Sequence, residues 1–203
     1  FFYPSVSTSF VLSDMFSLPK PVSFARLRVA GAQVGNDTEP YRTSKYYGQS
    51  EFPGSASVPT TLYNVDFKPE ITTSFETGLE LIFLDRRLAL DLNYYVSETK
   101  NQIIQVPVDI VTGFSSAILN AGTVQNKGWE FTLSTINIKN ANFSWSSNFN
   151  ISFNKNKVLE LADNQEVFLS RVSWTSTFNG TPLYLTKVGQ PVSQFFGYAF
   201  DGV

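Results

Sequence analysis

Residues 71–99 have the sequence ITTSFETGLELIFLDRRLALDLNYYVSET, which predicts two long strands joined by a tight turn at residues 84–87. Successive side chains of a strand point to opposite faces. In both predicted strands one set of alternate positions is almost entirely apolar, and it includes Leu79, Leu81, Leu90 and Leu92. The intervening set is polar and includes Glu76, Glu80, Asp91 and Asn93. Strands of about ten residues or more exceed the usual five or six and match the thickness of a tilted bilayer crossing.

The same alternation occurs in four other stretches, at residues 1–13, 24–33, 124–136 and 143–155. In the last two, Glu130 and Asn148 belong to the polar set. The corresponding apolar sets contain Trp129, Phe131, Phe149 and Ile151. We therefore expect six long strands, each with one apolar and one polar face.

The connections between these strands alternate in length. Short connections are expected at residues 15–23, 84–87 and 137–142, and long ones at 35–70, 101–123 and from 156 onward. Within the last of these, residues 191–196 allow a short helix. Outer-membrane barrels have short periplasmic turns, long extracellular loops and aromatic girdles at both interfaces. The sequence thus predicts an all-β chain, an antiparallel up-and-down meander that forms part of a large transmembrane β-barrel. A soluble or cell-surface β-sandwich module that binds carbohydrate is the alternative, with the aromatic side chains in its core.

The composition excludes several classes of function. The chain of 203 residues has a formal net charge of −2 and contains neither cysteine nor histidine. Nothing in this charge predicts a nucleic-acid partner, and disulfides, most zinc sites and most nucleophile–base pairs are excluded. The carboxylates of the polar face could act in glycoside hydrolysis only as a pair at a defined separation. We favour charged groups that line a wet lumen, and we predict no catalytic residue, no cofactor and no metal site.

Short motifs follow one another along the chain: AQVGND at residues 32–37, RL at 87–88, NAG at 120–122, NKG at 126–128, NKNKV at 154–158 and VGQP at 188–191. In their order and spacing the sequence resembles the SusC/RagA-like TonB-dependent transporters of the Bacteroidetes outer membrane. The resemblance implies import of a nutrient, an oligosaccharide or a peptide, by a barrel in the cell outer membrane. It also implies an N-terminal plug through which TonB acts, and a SusD-like surface lipoprotein as a lid. Residues 1–203 would then be a piece of about six barrel strands, with the plug and the remaining strands absent.

Two groups of residues are candidates for contact with the cargo. Side chains expected to line the lumen are Glu76, Glu80, Asp91, Asn93, Glu130 and Asn148, while the apolar set faces lipid. Candidates for contact with the substrate or the lid are the aromatic residues of the long loops, Tyr41, Tyr46, Tyr47, Trp174, Phe178 and Tyr184. Aromatic faces stack on sugar rings or line peptide grooves. Their alternative role is packing within the loops or against the lipoprotein.

Overall fold

A computed structural model of the chain describes residues 2–38, 40, 43, 47–49, 52, 54–162, 166–172, 182–192, 194 and 195. In chain order its strands are β1 (Ser5–Val11), β2 (Val22–Asn36), β3 (Gly48–Gln49), β4 (Ala56–Ser57), β5 (Thr61–Leu62), β6 (Glu70–Phe83), β7 (Leu88–Lys100), β8 (Ile103–Pro107), β9 (Ser116–Asn120), β10 (Gly122–Lys139), β11 (Ser144–Leu161), β12 (Val167–Val172), β13 (Pro182–Lys187) and β14 (Gln194–Phe195). A short helix, α1, spans Leu12–Met15, and a 3₁₀ turn spans Ile110–Thr112.

The long strands form one sheet in the order β1-β2-β6-β7-β10-β11. Every neighbour in the sheet is the next long strand in the chain, and the sheet is an antiparallel meander. The predicted order of the six strands is therefore confirmed. The strand predicted at residues 1–13 is too long at its C-terminal end, because the Phe16 amide donates to the Leu12 carbonyl and closes the turn of α1.

The turn between β6 and β7 is tight, as predicted. Leu84, Asp85 and Arg86 all have positive φ angles, of 51°, 54° and 69°. Such angles are uncommon for residues with a Cβ atom. The Arg87 amide donates to the Leu84 carbonyl, while the Leu84 amide donates to the Pro21 carbonyl. These bonds hold the turn in place.

The chain divides into two compact units. The first, here called the strand unit, comprises Phe1–Val34, Thr73–Glu98 and Asn126–Lys155. Among its described residues, Ala25 is the only buried hydrophobic residue. A single sheet cannot enclose a core, so both of its faces can contact water, lipid or other parts of the protein. Among the residues that the structure describes, no helix is long and apolar enough to cross a membrane.

The second unit, here called the loop unit, comprises Gly35–Thr72, Thr99–Gln125 and Asn156–Val203. It contains most of the buried hydrophobic residues that are described: Val106, Ala117, Ile118, Ala121, Val124, Val158 and Leu161. Val124, Val158 and Leu161 pack together, with Val192 against them. The segments predicted as long connections therefore include a hydrophobic core.

Three of the sequence-based boundaries are wrong in the loop unit. Residues 101–123 form the antiparallel hairpin β8–β9, and β5 pairs in parallel with β9. Strand β11 continues to Leu161, beyond the predicted end at residue 155. Instead of a helix at 191–196, Gln194 and Phe195 form β14, which pairs with Leu185 and Tyr184 of β13. Pairing decided the structures of β8, β9 and β14, because each of these strands is too short to show a clear period.

Candidate functional site

Two arginines of β2 form ion pairs with carboxylates of the predicted polar set. Arg26 donates a hydrogen bond to Glu80 of β6. Arg28 donates to both carboxylate oxygens of Asp91 on β7, at 2.9 and 2.7 Å. All four side chains are partly exposed, so water screens the pairs and each contributes at most about 1 kcal/mol to stability.

The Arg28 side chain spans a neighbouring strand to reach its partner. In the sheet β6 lies between β2 and β7, and Gly78 of β6 lies beneath the guanidinium. A Cβ atom on Gly78 would lie 3.0 Å from Nε and Nη2 of Arg28 and would collide with Oδ1 of Asn93. Glycine leaves the space in which Arg28, Asn93 and Asp91 meet, a close approach that often explains a glycine within a strand.

Asn93 completes this group. Its Oδ1 accepts a hydrogen bond from Arg28 at 3.1 Å, and its Nδ2 donates to Asp91 at 2.8 Å. Arg28, Asp91 and Asn93 thus form a closed triangle of hydrogen bonds. The charge of Arg28 is balanced within the triangle.

Beside the triangle lies an open concavity of about 800 Å³, lined by Arg28, Asn93, Glu76 and Glu130 together with small and aromatic residues. Neither the Glu76 nor the Glu130 side chain makes a hydrogen bond or an ion pair within the described part of the chain. Because Arg28 is already paired with Asp91, the concavity carries an excess of negative charge. It is suited to attract cations and to hold polar solutes by hydrogen bonds.

The polar set continues onto β10 and β11 as an array of amides and hydroxyls. Asn148 donates to the Ser134 hydroxyl at 2.8 Å, and Asn150 donates to Asn148 at 2.8 Å. The structure therefore brings Glu76, Asn93 and Glu130 to one concavity, pairs Asp91 and Glu80 with arginines, and places Asn148 in a hydrogen-bonded row. That this face borders a lumen stays a prediction.

The opposite face of the same strands carries aromatic pairs. The rings of Tyr94 and Trp129 lie 4.7 Å apart, and those of Phe131 and Phe149 lie 6.3 Å apart. These pairs join β7 to β10 and β10 to β11. Contacts of this kind stabilise neighbouring strands of a sheet.

Only two of the six loop aromatics lie in the described part of the chain. Tyr41, Tyr46, Trp174 and Phe178 lie outside the described residues. Tyr47 is largely exposed, and Tyr184 packs against Phe195, with 5.0 Å between ring centroids. The contact of Tyr184 is packing within the loops, the alternative considered above. A role of these residues in substrate or lid contact stays a prediction.

Sequence reasoning missed two polar residues that organise the loop unit. Glu70 accepts a hydrogen bond from the Ile103 amide at 2.7 Å and another from the Asn36 side chain at 2.9 Å. Asn120 binds both the amide and the carbonyl of Lys68, at 2.9 and 2.7 Å, and also donates to the Asn101 carbonyl. The NAG motif marked Asn120 as a family position, but no local pattern shows that its partners are remote backbone groups.

The arrangement supports binding and passage of polar molecules. The described residues contain no group of three or more acidic side chains placed to hold a metal ion. Ion pairs, amides and hydroxyls on a continuous polar face offer many weak, exchangeable contacts. Such contacts suit a solute that must leave as well as enter.

Long antiparallel strands with one polar and one apolar face define the class of transmembrane β-barrel segments. The sequence model of the family described as "TonB dependent receptor-like, beta-barrel" matches residues 1–199. The chain belongs to this family, and it is therefore part of an outer-membrane β-barrel. The alternative of a soluble β-sandwich is wrong.

Curated relatives agree with this assignment. The chain is 29% identical to TonB-dependent receptor P3 of Formosa agariphila, an alignment that covers 100% of this chain and 21% of the relative. It is 33% identical to TonB-dependent receptor P26 of the same organism, in an alignment that covers 79% of this chain and 17% of the relative. TonB-dependent receptor SusC of Bacteroides thetaiotaomicron is 27% identical, in an alignment that covers 67% of this chain and 14% of the relative. The chain thus spans about a fifth or less of the length of the curated relatives it matches.

Solved structures share the fold. The RagAB peptide transporter aligns with a TM-score of 0.80 at 21% identity, covering 95% of this chain and 21% of that one. The RagAB peptide importer in its "open-open" state aligns with a TM-score of 0.76. The predicted resemblance to SusC/RagA-like transporters is confirmed.

Proposed function

We propose that this chain forms part of the wall of a transporter that imports an oligosaccharide or a peptide across the outer membrane. The observation that carries the proposal is the polar face, with the triangle of Arg28, Asp91 and Asn93. Beside it lie Glu76 and Glu130, whose carboxylates have no partner among the described residues. This face is the lumen side, and the aromatic face meets lipid. We propose a binding role rather than a catalytic one for this face, because hydrogen-bonding groups abound on it and the described residues offer no nucleophile–base pair there.

Residues 1–203 form one contiguous piece of a single barrel. The remaining strands and an N-terminal plug belong to the rest of the protein. TonB drives the cycle through the plug, and a SusD-like lipoprotein covers the loops. The relatives named for the TonB-dependent family and the fold shared with a peptide transporter support these partners.

The loop unit selects the cargo. Support comes from its hydrophobic core, because a folded loop region can present fixed contact positions on a rigid base. Tyr47 and Tyr184, with the loop aromatics outside the described residues, supply surfaces for sugar rings or peptide side chains.

The test measures uptake by cells that carry the full-length transporter with residues 41–57 replaced by a short Gly-Ser linker. Strands β3 and β4 in this segment pair with each other, whereas β5 and its contact with β9 lie outside it. We expect uptake of labelled peptides or oligosaccharides to be lost while the amount of heat-modifiable barrel in the outer membrane is unchanged. An uncoupler should abolish uptake by the wild type. Wild-type uptake by the replaced variant would overturn the role of the loops, and uptake insensitive to the uncoupler would overturn energy-dependent import.

A further inference from the structure

A second concavity lies on the aromatic face of the strand unit. It has a volume of about 420 Å³ and is lined by Tyr94, Trp129 and Phe153, by Lys127 and Lys155, and by backbone near Gly128. Trp129 is 56% exposed and Phe153 is 62% exposed. Tyr94 also lines the acidic concavity, and among the described residues the two sites share no other lining residue.

The two lysines come from neighbouring strands that approach closely at this point. A Cβ atom on Gly128 of β10 would lie 2.5 Å from the carbonyl oxygen of Phe153 on β11. Lys127 and Lys155 each lie within two residues of that contact and line the same concavity. Both lysines therefore border one small region.

Among the described residues, neither lysine has a partner of opposite charge. Within the described part of the chain, no side-chain hydrogen bond or ion pair involves Lys127 or Lys155, and no carboxylate lines the concavity. Like charges on adjacent strands destabilise a sheet. An anion bound between the lysines would remove this repulsion.

The position of the lysines identifies the kind of anion. Along β11 the residues Phe149, Ile151 and Phe153 form the apolar alternation, and Lys155 is the next residue in the same alternation. Strand β11 continues past Lys155 to Leu161, at its long-loop end. A lysine at the margin of an apolar band lies at the level of lipid headgroups.

We infer that Lys127 and Lys155 bind the phosphate of an anionic lipid in the outer leaflet. The headgroup phosphate accepts charge-assisted hydrogen bonds from both ammonium groups. Trp129 and Tyr94 contact the sugar or glycerol portion, and Phe153 contacts the start of the acyl chains. The inference goes beyond import and rests only on the proposed lipid orientation of this face.

The experiment uses the full-length transporter in detergent micelles that contain a diphosphorylated disaccharide lipid or the same lipid after removal of its phosphates. Native mass spectrometry counts the lipids that remain bound. The double variant Lys127→Gln/Lys155→Gln is compared with Lys139→Gln, a lysine of the same strand and the same alternation near its other end. We expect the double variant to lose roughly 25-fold in affinity for the phosphorylated lipid, from about fivefold for each lysine. Lys139→Gln should bind like the wild type.

Several outcomes would overturn the inference. One is equal binding of both lipids by the wild type, a comparison that needs no variant to fold. Another is an equal loss in Lys139→Gln and the double variant. A third is binding of inorganic phosphate alone as tightly as the lipid, which would assign the site to a free anion. The variant Lys127→Arg/Lys155→Arg keeps both charges and should retain the preference for the phosphorylated lipid.

Discussion

The Arg28 guanidinium reaches Asp91 across an intervening strand, with Nη2 at 2.9 and 2.7 Å from the two carboxylate oxygens. The contact depends on the missing side chain of Gly78, since a Cβ atom there would lie against both Arg28 and Asn93. The triangle ties β2 to β7 over the intervening β6. It is an electrostatic link between strands that share no direct backbone pairing.

We expect the coupling between Arg28 and Asp91 to disappear when Gly78 is replaced by alanine. A double-mutant cycle with Arg28→Ala and Asp91→Ala, measured from urea unfolding of the reconstituted transporter, should give about 0.5–1 kcal/mol in the wild type. In the Gly78→Ala background it should be near zero, because the methyl group displaces the guanidinium. Gly31→Ala is the matched control, since a Cβ there meets only the Ser74 carbonyl oxygen at 3.8 Å. A full coupling energy in Gly78→Ala would contradict the explanation.

The adjacent residues Leu90 and Asp91 should respond differently to substitution. Leu90→Arg places a charge on the face that we assign to lipid, at a cost of roughly 2–4 kcal/mol near the middle of the bilayer. It should reduce the amount of heat-modifiable barrel in the outer membrane. Asp91→Asn retains an oxygen that can accept from Arg28, so assembly should be close to wild type. Equal assembly of the two variants would argue against the assigned faces.

The sequence predicts the long strands better than the contacts between them. Alternation over residues 71–99 is sufficient to show two strands and their two faces, because the period of two persists over many residues. It does not show that Arg28 meets Asp91, since register and the space above Gly78 are properties of three strands together. The alternation places Gly78 in the polar set but does not show that its missing side chain makes room for Arg28.

The loop unit shows where local reasoning fails. Ala117 and Ile118 are buried, yet β9 has only five residues, and Gly113 and Pro107 near its hairpin indicate a loop. Likewise Gln194 and Phe195 are a strand only because β13 pairs with them. Short segments take their structure from partners that are distant in the chain, which a local pattern does not identify.

Glu70 should control the stability of the loop unit at Ile103. Glu70→Ala leaves the Ile103 amide without its acceptor, and a hydrogen bond to a charged group contributes about 1.5–3 kcal/mol. Hydrogen exchange at that amide should therefore be at least about tenfold faster in the variant, because about 1.4 kcal/mol corresponds to a factor of ten. The control is Glu160→Ala, because the Glu160 side chain has no hydrogen bond among the described residues and is exposed. An unchanged exchange rate at Ile103 in Glu70→Ala would show that a group other than Glu70 protects this amide at the start of β8.

Asn150 and Ile151 are adjacent in β11 and belong to opposite alternations, so a pair of single cysteines can test which face meets lipid. The 203 residues contain no cysteine of their own, and a full-length transporter without other cysteines supplies the background. Asn150→Cys should react with a water-soluble maleimide in intact membranes, because we place it on the wet side beside Asn148. Ile151→Cys should react poorly with that reagent. Once it is labelled with a fluorophore in detergent and reconstituted, its fluorescence should be quenched by brominated lipid.

The reverse result would place the ion pairs in lipid, where an exposed arginine is costly. It would overturn both the lumen assignment and the lipid site at Lys127 and Lys155. Quenching at Ile151 without phosphate-dependent lipid binding would leave the orientation intact and remove only the lipid site, so the two proposals fail separately.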